Sequence, residues 1–334
     1  MAWGAPPVRP VLAADRPYAR APHPEPEPYP RLLRTPRWSW WRPVLGLLLG
    51  VAVLAVLGLG VVVAASLAEA VRTGSLPAES ALQDFSDPLV LLANNLLLAA
   101  LIPAALLAVL VVHRERPSWL FSVVGRLRWG LLWRFALLAV GTTLLGGALG
   151  SLLPGLDTAG DGGGTVDGGR LAAQLAVIAL TTPLQAAGEE FGFRGYLTQA
   201  IAGYGRSRLA GPLVAGLVTS LLFALAHGGQ APLLFADRFA FGALAAWLVW
   251  RTGGLEAPIA LHTVNNLLAL GSAALAGALS QSLDATDMPW QAFVVDVGSL
   301  LLFAALADRW ARRRAAARLS TPAPATLEVA PPIG

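Results

Sequence analysis

Eight stretches of this sequence are apolar for long enough to cross a lipid bilayer, and that constrains the fold more than anything else in it. A helix rising 1.5 Å per residue needs about 20 apolar residues to span the hydrocarbon layer. The stretches cover 44–68, 89–112, 130–153, 171–203, 209–227, 232–251, 255–276 and 290–308. Composition agrees: 55% of residues are hydrophobic, only 13% are charged, and the mean hydropathy is +0.61, too apolar for a soluble globular chain. The expected fold is an all-α polytopic membrane protein of about eight transmembrane helices around a polar intramembrane cavity. The fourth stretch is over-long, and reads either as one tilted helix or as a helix that breaks around Gly203–Gly205.

The ends of the chain are different in kind. Residues 1–42 are rich in proline and arginine without periodicity and read as a disordered tail, as does 311–334; the membrane domain lies between, at 43–310. The first apolar run begins near Val44, too far in for an ordinary cleaved signal peptide. Loop charge alternates. Seven arginines lie within 1–42, four more at Arg114, Arg116, Arg126 and Arg128, two at Arg206 and Arg208, one at Arg251, and a run at Arg309, Arg312, Arg313 and Arg314. The intervening loops carry Glu79, Asp84, Asp87, Asp157, Asp161, Asp167, Asp284 and Asp287. Positive charge marks the cytoplasmic side, so both termini are expected there, in a multi-pass protein of the cell (plasma) membrane. The same distribution explains the sequence pI of about 10.3 and argues against a nucleic-acid partner. With no cysteine, a thiol nucleophile, a Cys-ligated metal and disulfides are excluded. The glycine- and aspartate-rich loop 154–169 holds one glycine cluster and reads as an outer linker, and Gly46/Gly50 and Gly146/Gly150 have the spacing of close helix packing.

Against this background the polar residues at membrane depth stand out. Glu189 and Glu190 are adjacent carboxylates in hydrocarbon, costing a few kcal/mol each even on lenient insertion scales. Glu190 and Arg194 are four apart, on one helix face, and can pair; Glu189 is rotated about 100° away and is left to act as a base. Phe223 with His227, and His262 with Asn266, repeat that spacing. A carboxylate and an imidazole suit activation of water, and an Asn amide beside a His N–H suits an oxyanion. Of the other polar residues within the spans, Asn94 and Asn95 are expected to bond between helices, Arg134 to snorkel, and Asp237 and Arg238 to need separate partners; Asp296 has no evident role.

Three motifs carry a resemblance. Gly188-Glu189-Glu190-Phe191-Gly192-Phe193-Arg194-Gly195 resembles the EExxxR motif of the CPBP family, which groups type II CAAX prenyl endopeptidases with bacteriocin-processing and self-immunity proteins. Phe223-Ala224-Leu225-Ala226-His227 is similar to its FxxxH motif, and His262-Thr263-Val264-Asn265-Asn266 to its HxxxN motif. The likeness is clearest over 170–275 and extends over about 89–308. It implies an intramembrane glutamate-dependent endopeptidase acting on a membrane-associated protein or peptide within the lipid bilayer. Glu189 and His227 would activate water, His262 and Asn266 would form the oxyanion site, and Glu190 and Arg194 would support them. No HExxH motif is present, so a mechanism without cofactor is favoured, although Glu189, His227 and His262 are a set that zinc could use. The composition looks bacterial, so the substrate need not be prenylated. A non-catalytic immunity or scaffold protein of the same fold and a proton-coupled transporter are the other readings. One point conflicts: straight helices would leave Glu189 and His227 some 10–20 Å apart in depth.

Overall fold

The apolar runs become helices, each capped or turned where its pattern stops. A computed structural model describes residues 23, 25–78, 81, 84–154, 167–314 and 316–321. Its long helices are α1 (Trp41–Thr73), α2 (Pro88–His113), α3 (Trp129–Gly150), α4 (Gly168–Ala202), α5 (Ala210–Leu225), α6 (Pro232–Thr252), α7 (Glu256–Leu275) and α8 (Trp290–Arg313), with a five-residue helix at Leu279–Leu283 before α8. Among the described residues β-pairing is confined to two isolated bridges, so the fold is all-α. Six of the helices are long and apolar enough to cross a membrane; α5 is a shorter apolar helix, and α7 carries Glu256, His262, Asn265 and Asn266 among its apolar residues.

Helix boundaries follow local chemistry. Asp87 caps α2 by accepting from the backbone N–H groups of Leu89 and Val90, and Asp167 caps α4 by accepting from that of Arg170. Gly74 and Gly253 end α1 and α6 in the left-handed conformation. At Gly253 (φ 73°) a side chain would be strained and would also strike the Ala317 carbonyl, so the α6–α7 turn can fold tightly against the C-terminal segment only with glycine.

Burial separates the helices. The most apolar window of α1 is only 6% buried, against 39% in α2 and α6, so α1 is a peripheral helix whose surface suits lipid. Helix α2 packs on α4, α3 on α7 and α8, α4 on α7, α5 on α6, and α6 on α8. Gly188 lets α2 and α4 approach: a Cβ there would collide with the Leu98 carbonyl. Of the glycine pairs expected at helix contacts, Gly46 lies under the Tyr196 hydroxyl and Gly146 under the Ser299 side chain. Asn95 bonds across α2 and α4 as expected, donating to the Thr181 and Thr182 hydroxyls at 2.9 and 3.3 Å.

Two expectations change. The N-terminal tail is not structureless over 25–40, nor the C-terminal one over 316–321. Tyr29, Leu32 and Leu33 are buried, the Tyr29 hydroxyl donates to the Leu120 carbonyl at 2.6 Å, and Arg31 donates to the Gly205 carbonyl at 2.8 Å. Pro28 bridges Leu319, and the Ser320 N–H donates to the Glu27 carbonyl at 2.9 Å. The two terminal segments thus lie together on one face. Proline-rich composition suggests disorder, but Tyr29 and Leu32–Leu33 supply an apolar anchor that offsets the ordering cost. The rest of the expected tails, at 1–22 and 322–334, lies outside the described residues, as does 155–166 of the glycine-rich loop.

Candidate active site

The fourth run is one continuous helix that widens at Phe191–Leu197 into a π-turn, where the Thr198 hydroxyl reaches back to the Phe193 carbonyl at 2.8 Å. It ends at Gly203, near where a break was expected. Pro183 lies inside it, removing one backbone donor a turn and a half before the carboxylates. Such widened turns are frequent at functional sites, and this one begins directly after Glu190.

Glu190 and Arg194 are fully buried and paired at 3.1 Å, the i,i+4 bond anticipated from spacing. The guanidinium lies 4.1 Å from the centroid of Phe223, with the Phe241 and Phe193 rings at 5.6 and 5.9 Å, so aromatic faces stand where water would otherwise solvate it. Glu190 Oε1 also meets His262 Nδ1 at 2.8 Å, and the other ring nitrogen, Nε2, faces Glu189 Oε2 at 3.4 Å. Glu189 and His262 are 8% and 4% exposed, so this contact lies inside the protein. Helices α4 and α7 therefore build a chain of four charged or chargeable groups: Glu189, His262, Glu190, Arg194.

The charges are only partly consumed. Glu190 Oε2 and Arg194 Nε and Nη2 are buried with no hydrogen-bond partner among the described residues. Buried polar atoms without partners are uncommon.

His227 lies just beyond the end of α5. Its Nδ1 is 2.8 Å from the Phe223 carbonyl. With Nδ1 donating to that carbonyl, Nε2 carries the lone pair and can accept a proton. No described residue bonds Nε2, and the side chain is exposed. Helix α5 has 16 residues and spans about 24 Å, short of a full crossing. Phe223 completes the link: its ring is 4.7 Å from that of His227 and 6.0 Å from that of His262. Glu189 and His262 are both within electrostatic range of His227.

Asn266 is one turn beyond His262 on α7, but its Nδ2 donates to Gln185 Oε1 at 3.1 Å. Gln185 lies on α4, one turn before Glu189, and is buried. The sequence holds a signal for it, since Gln185 and Glu189 are four apart and so lie on one helix face. Arg238 donates to Gln230 Oε1 at 2.7 Å and stands within electrostatic range of His227. Asp296, without a role in the sequence, lies beside Asp237 across α6 and α8. Arg134 lies over the Trp310 ring at 5.5 Å.

Residues 171–268 match the family model described as Type II CAAX prenyl endopeptidase Rce1-like. The chain carries an Rce1-like core. No curated protein and no solved structure matches it. The Rce1-like stretch runs from α4 into α7 and includes Glu189, Glu190, Arg194, His227, His262 and Asn266. The matched family is a protease family, and the apolar helices support a multi-pass membrane protein. Among the described residues, no three His, Asp or Glu side chains group as a metal site requires. Glu190, the carboxylate nearest His262, is already engaged by Arg194.

Proposed function

We propose that this protein is an intramembrane endopeptidase that hydrolyses a peptide bond of a membrane-associated protein or peptide. The observation that carries the proposal is the contact of Glu189 with a histidine that Glu190 and Arg194 hold in place. A carboxylate shielded from bulk water and paired with an imidazole is suited to general-base work.

In the proposed reaction, Glu189, with His227 Nε2 on the open side, takes a proton from water as the water oxygen attacks the scissile carbonyl. His262 and the second N–H of the Asn266 amide donate to the oxyanion. Gln185 holds that amide by its first N–H. The proton then passes to the leaving amine as the tetrahedral intermediate collapses, leaving a carboxylate and a free amine. Glu190 and Arg194 fix the His262 ring and do not touch substrate. No step requires a metal, and the reaction is expected to survive chelation.

The arginine-rich face that carries both terminal segments is proposed to be cytoplasmic, in the plasma membrane. Lipidation of the substrate is not required by this chemistry.

The test is cleavage of membrane peptides by purified protein in detergent, with Glu189→Gln and His227→Ala as controls. Cleavage by the wild type that is lost in both variants supports the proposal. Unchanged cleavage in the variants, or inert wild-type protein against a broad set of membrane peptides, refutes it.

A further inference from the structure

A second site lies away from the carboxylates, where the described N-terminal segment meets the end of α2. Helix α2 closes in a π-turn, Ala108–His113, and the chain leaves it through Arg114 at φ 56°. Arg114 is the only non-glycine residue with positive φ among those described. An arginine lacks the small, locally bonding side chain that usually occupies this region, and such outliers point to function more often than chance. Beside it is a cavity of about 580 Å³ lined by Arg37, Leu110, Arg114, Glu115, Arg116 and Trp119, with Pro117.

The lining has a polar side and an apolar side. Arg37 donates to the Arg114 carbonyl at 3.0 Å, which ties the N-terminal segment to the π-turn. Glu115 is the one carboxylate of the lining. It is buried, and burial pushes its carboxyl above the usual carboxylate range against the opposing effects of Thr35, Arg37 and Arg42. Arg114 and Arg116 are exposed at the cavity, and the Arg114 side chain bonds to no described residue. On the apolar side Trp119 forms a buried wall, while Leu110, 52% exposed, belongs to the part of α2 that suits lipid. Trp40 and Trp41, at the start of α1, are 69% and 43% exposed. Exposed tryptophans at a helix end mark the level of the membrane–water interface.

We propose that this cavity binds the phosphate of an anionic lipid headgroup, with Arg114 and Arg116 as its ligands and the acyl chains lying along Leu110. Arginine matches phosphate geometry with paired donors, and basic pockets at the interface end of a spanning helix recognise such headgroups. An interface arginine beside an exposed leucine fits an amphipathic lipid better than a freely soluble anion. The site is independent of the proposed hydrolysis.

Native mass spectrometry of the full-length protein, released from nanodiscs of equal phosphatidylglycerol and phosphatidylcholine, tests it. The wild type is expected to retain the anionic lipid with about tenfold preference. In Arg114→Gly combined with Arg116→Gln the preference should fall toward unity. Arg114→Gly alone should lower the preference while leaving the thermal midpoint unchanged or raised, because glycine relieves the left-handed backbone. Equal retention of the two lipids by the wild type overturns the proposal, as does an unaltered preference in the double variant. Displacement of the retained lipid by millimolar inorganic phosphate would reassign the cavity to a soluble anion and overturn the lipid assignment.

Discussion

Two of the arginine–glutamate pairs between and within the helices, Arg128–Glu256 and Arg194–Glu190, differ in what they leave over. At the start of α7, Arg128 meets Glu256 with Nε at 2.8 Å and Nη2 at 2.6 Å, and its backbone N–H adds a third bond to the same carboxylate at 2.9 Å. Its remaining donors go to the Thr252 and Ala317 carbonyls. Each guanidinium nitrogen and both oxygens of Glu256 are bonded, and the pair joins α3, α7 and the C-terminal segment. The Glu190–Arg194 pair has one bond between its partners, one to His262, and three buried polar atoms without partners. The first arrangement is a finished joint. The second is less saturated, and it lies one residue from the carboxylate proposed as base. A buried charge pair by itself is weak evidence of function, and the difference in saturation is what distinguishes these two.

Substitutions should separate the pairs, and Glu189→Gln should have the largest effect. Removing the general base is expected to lower kcat by about 10²–10⁴-fold, with little change in thermal midpoint, since Gln keeps the volume. Asn266→Ala should follow, at about 10²–10³-fold in kcat if its amide serves the oxyanion. Gln185→Ala should give a smaller loss in kcat, about tenfold, with KM nearly constant, because the Asn266 amide remains but is no longer oriented. Gln185→Glu, which keeps the acceptor, should restore part of it. Arg128→Met should act on the fold alone, costing roughly 3–5 kcal/mol by stranding Glu256, while kcat per folded molecule stays at the wild-type value. If Arg128→Met lost turnover without losing stability, the contrast between the pairs would be wrong. The smallest effect is expected at Asn95→Ala, about 0.6 kcal/mol for one interhelical bond, measured by thermal unfolding in detergent.

Much of this was legible in the sequence, and for definite reasons. Apolar runs of spanning length specify helices regardless of neighbours, so the eight runs correspond to α1–α8 within a few residues at most ends. The Glu190–Arg194 bond follows from i,i+4 geometry within one helix. Contacts between helices were not legible in the same way. That His262 lies between the two carboxylates depends on how α4 packs on α7 around the aromatic group of Phe223. The Asn266–Gln185 bond and the Asp237–Asp296 pair are invisible in the sequence for the same reason. The segment 25–40 was misread because proline content outweighed three apolar residues whose burial only the assembled helices make available.

The central claim is that Glu189 activates a water for attack on a peptide bond inside the membrane domain. It is tested most directly by cleaving a membrane peptide in ¹⁸O-water and weighing the new carboxyl terminus. The account predicts one ¹⁸O incorporated per cleavage by the wild type and by Arg128→Met, and no product above background with Glu189→Gln. Cleavage by Glu189→Gln at the wild-type rate, or a wild-type product without the heavy oxygen, would contradict it.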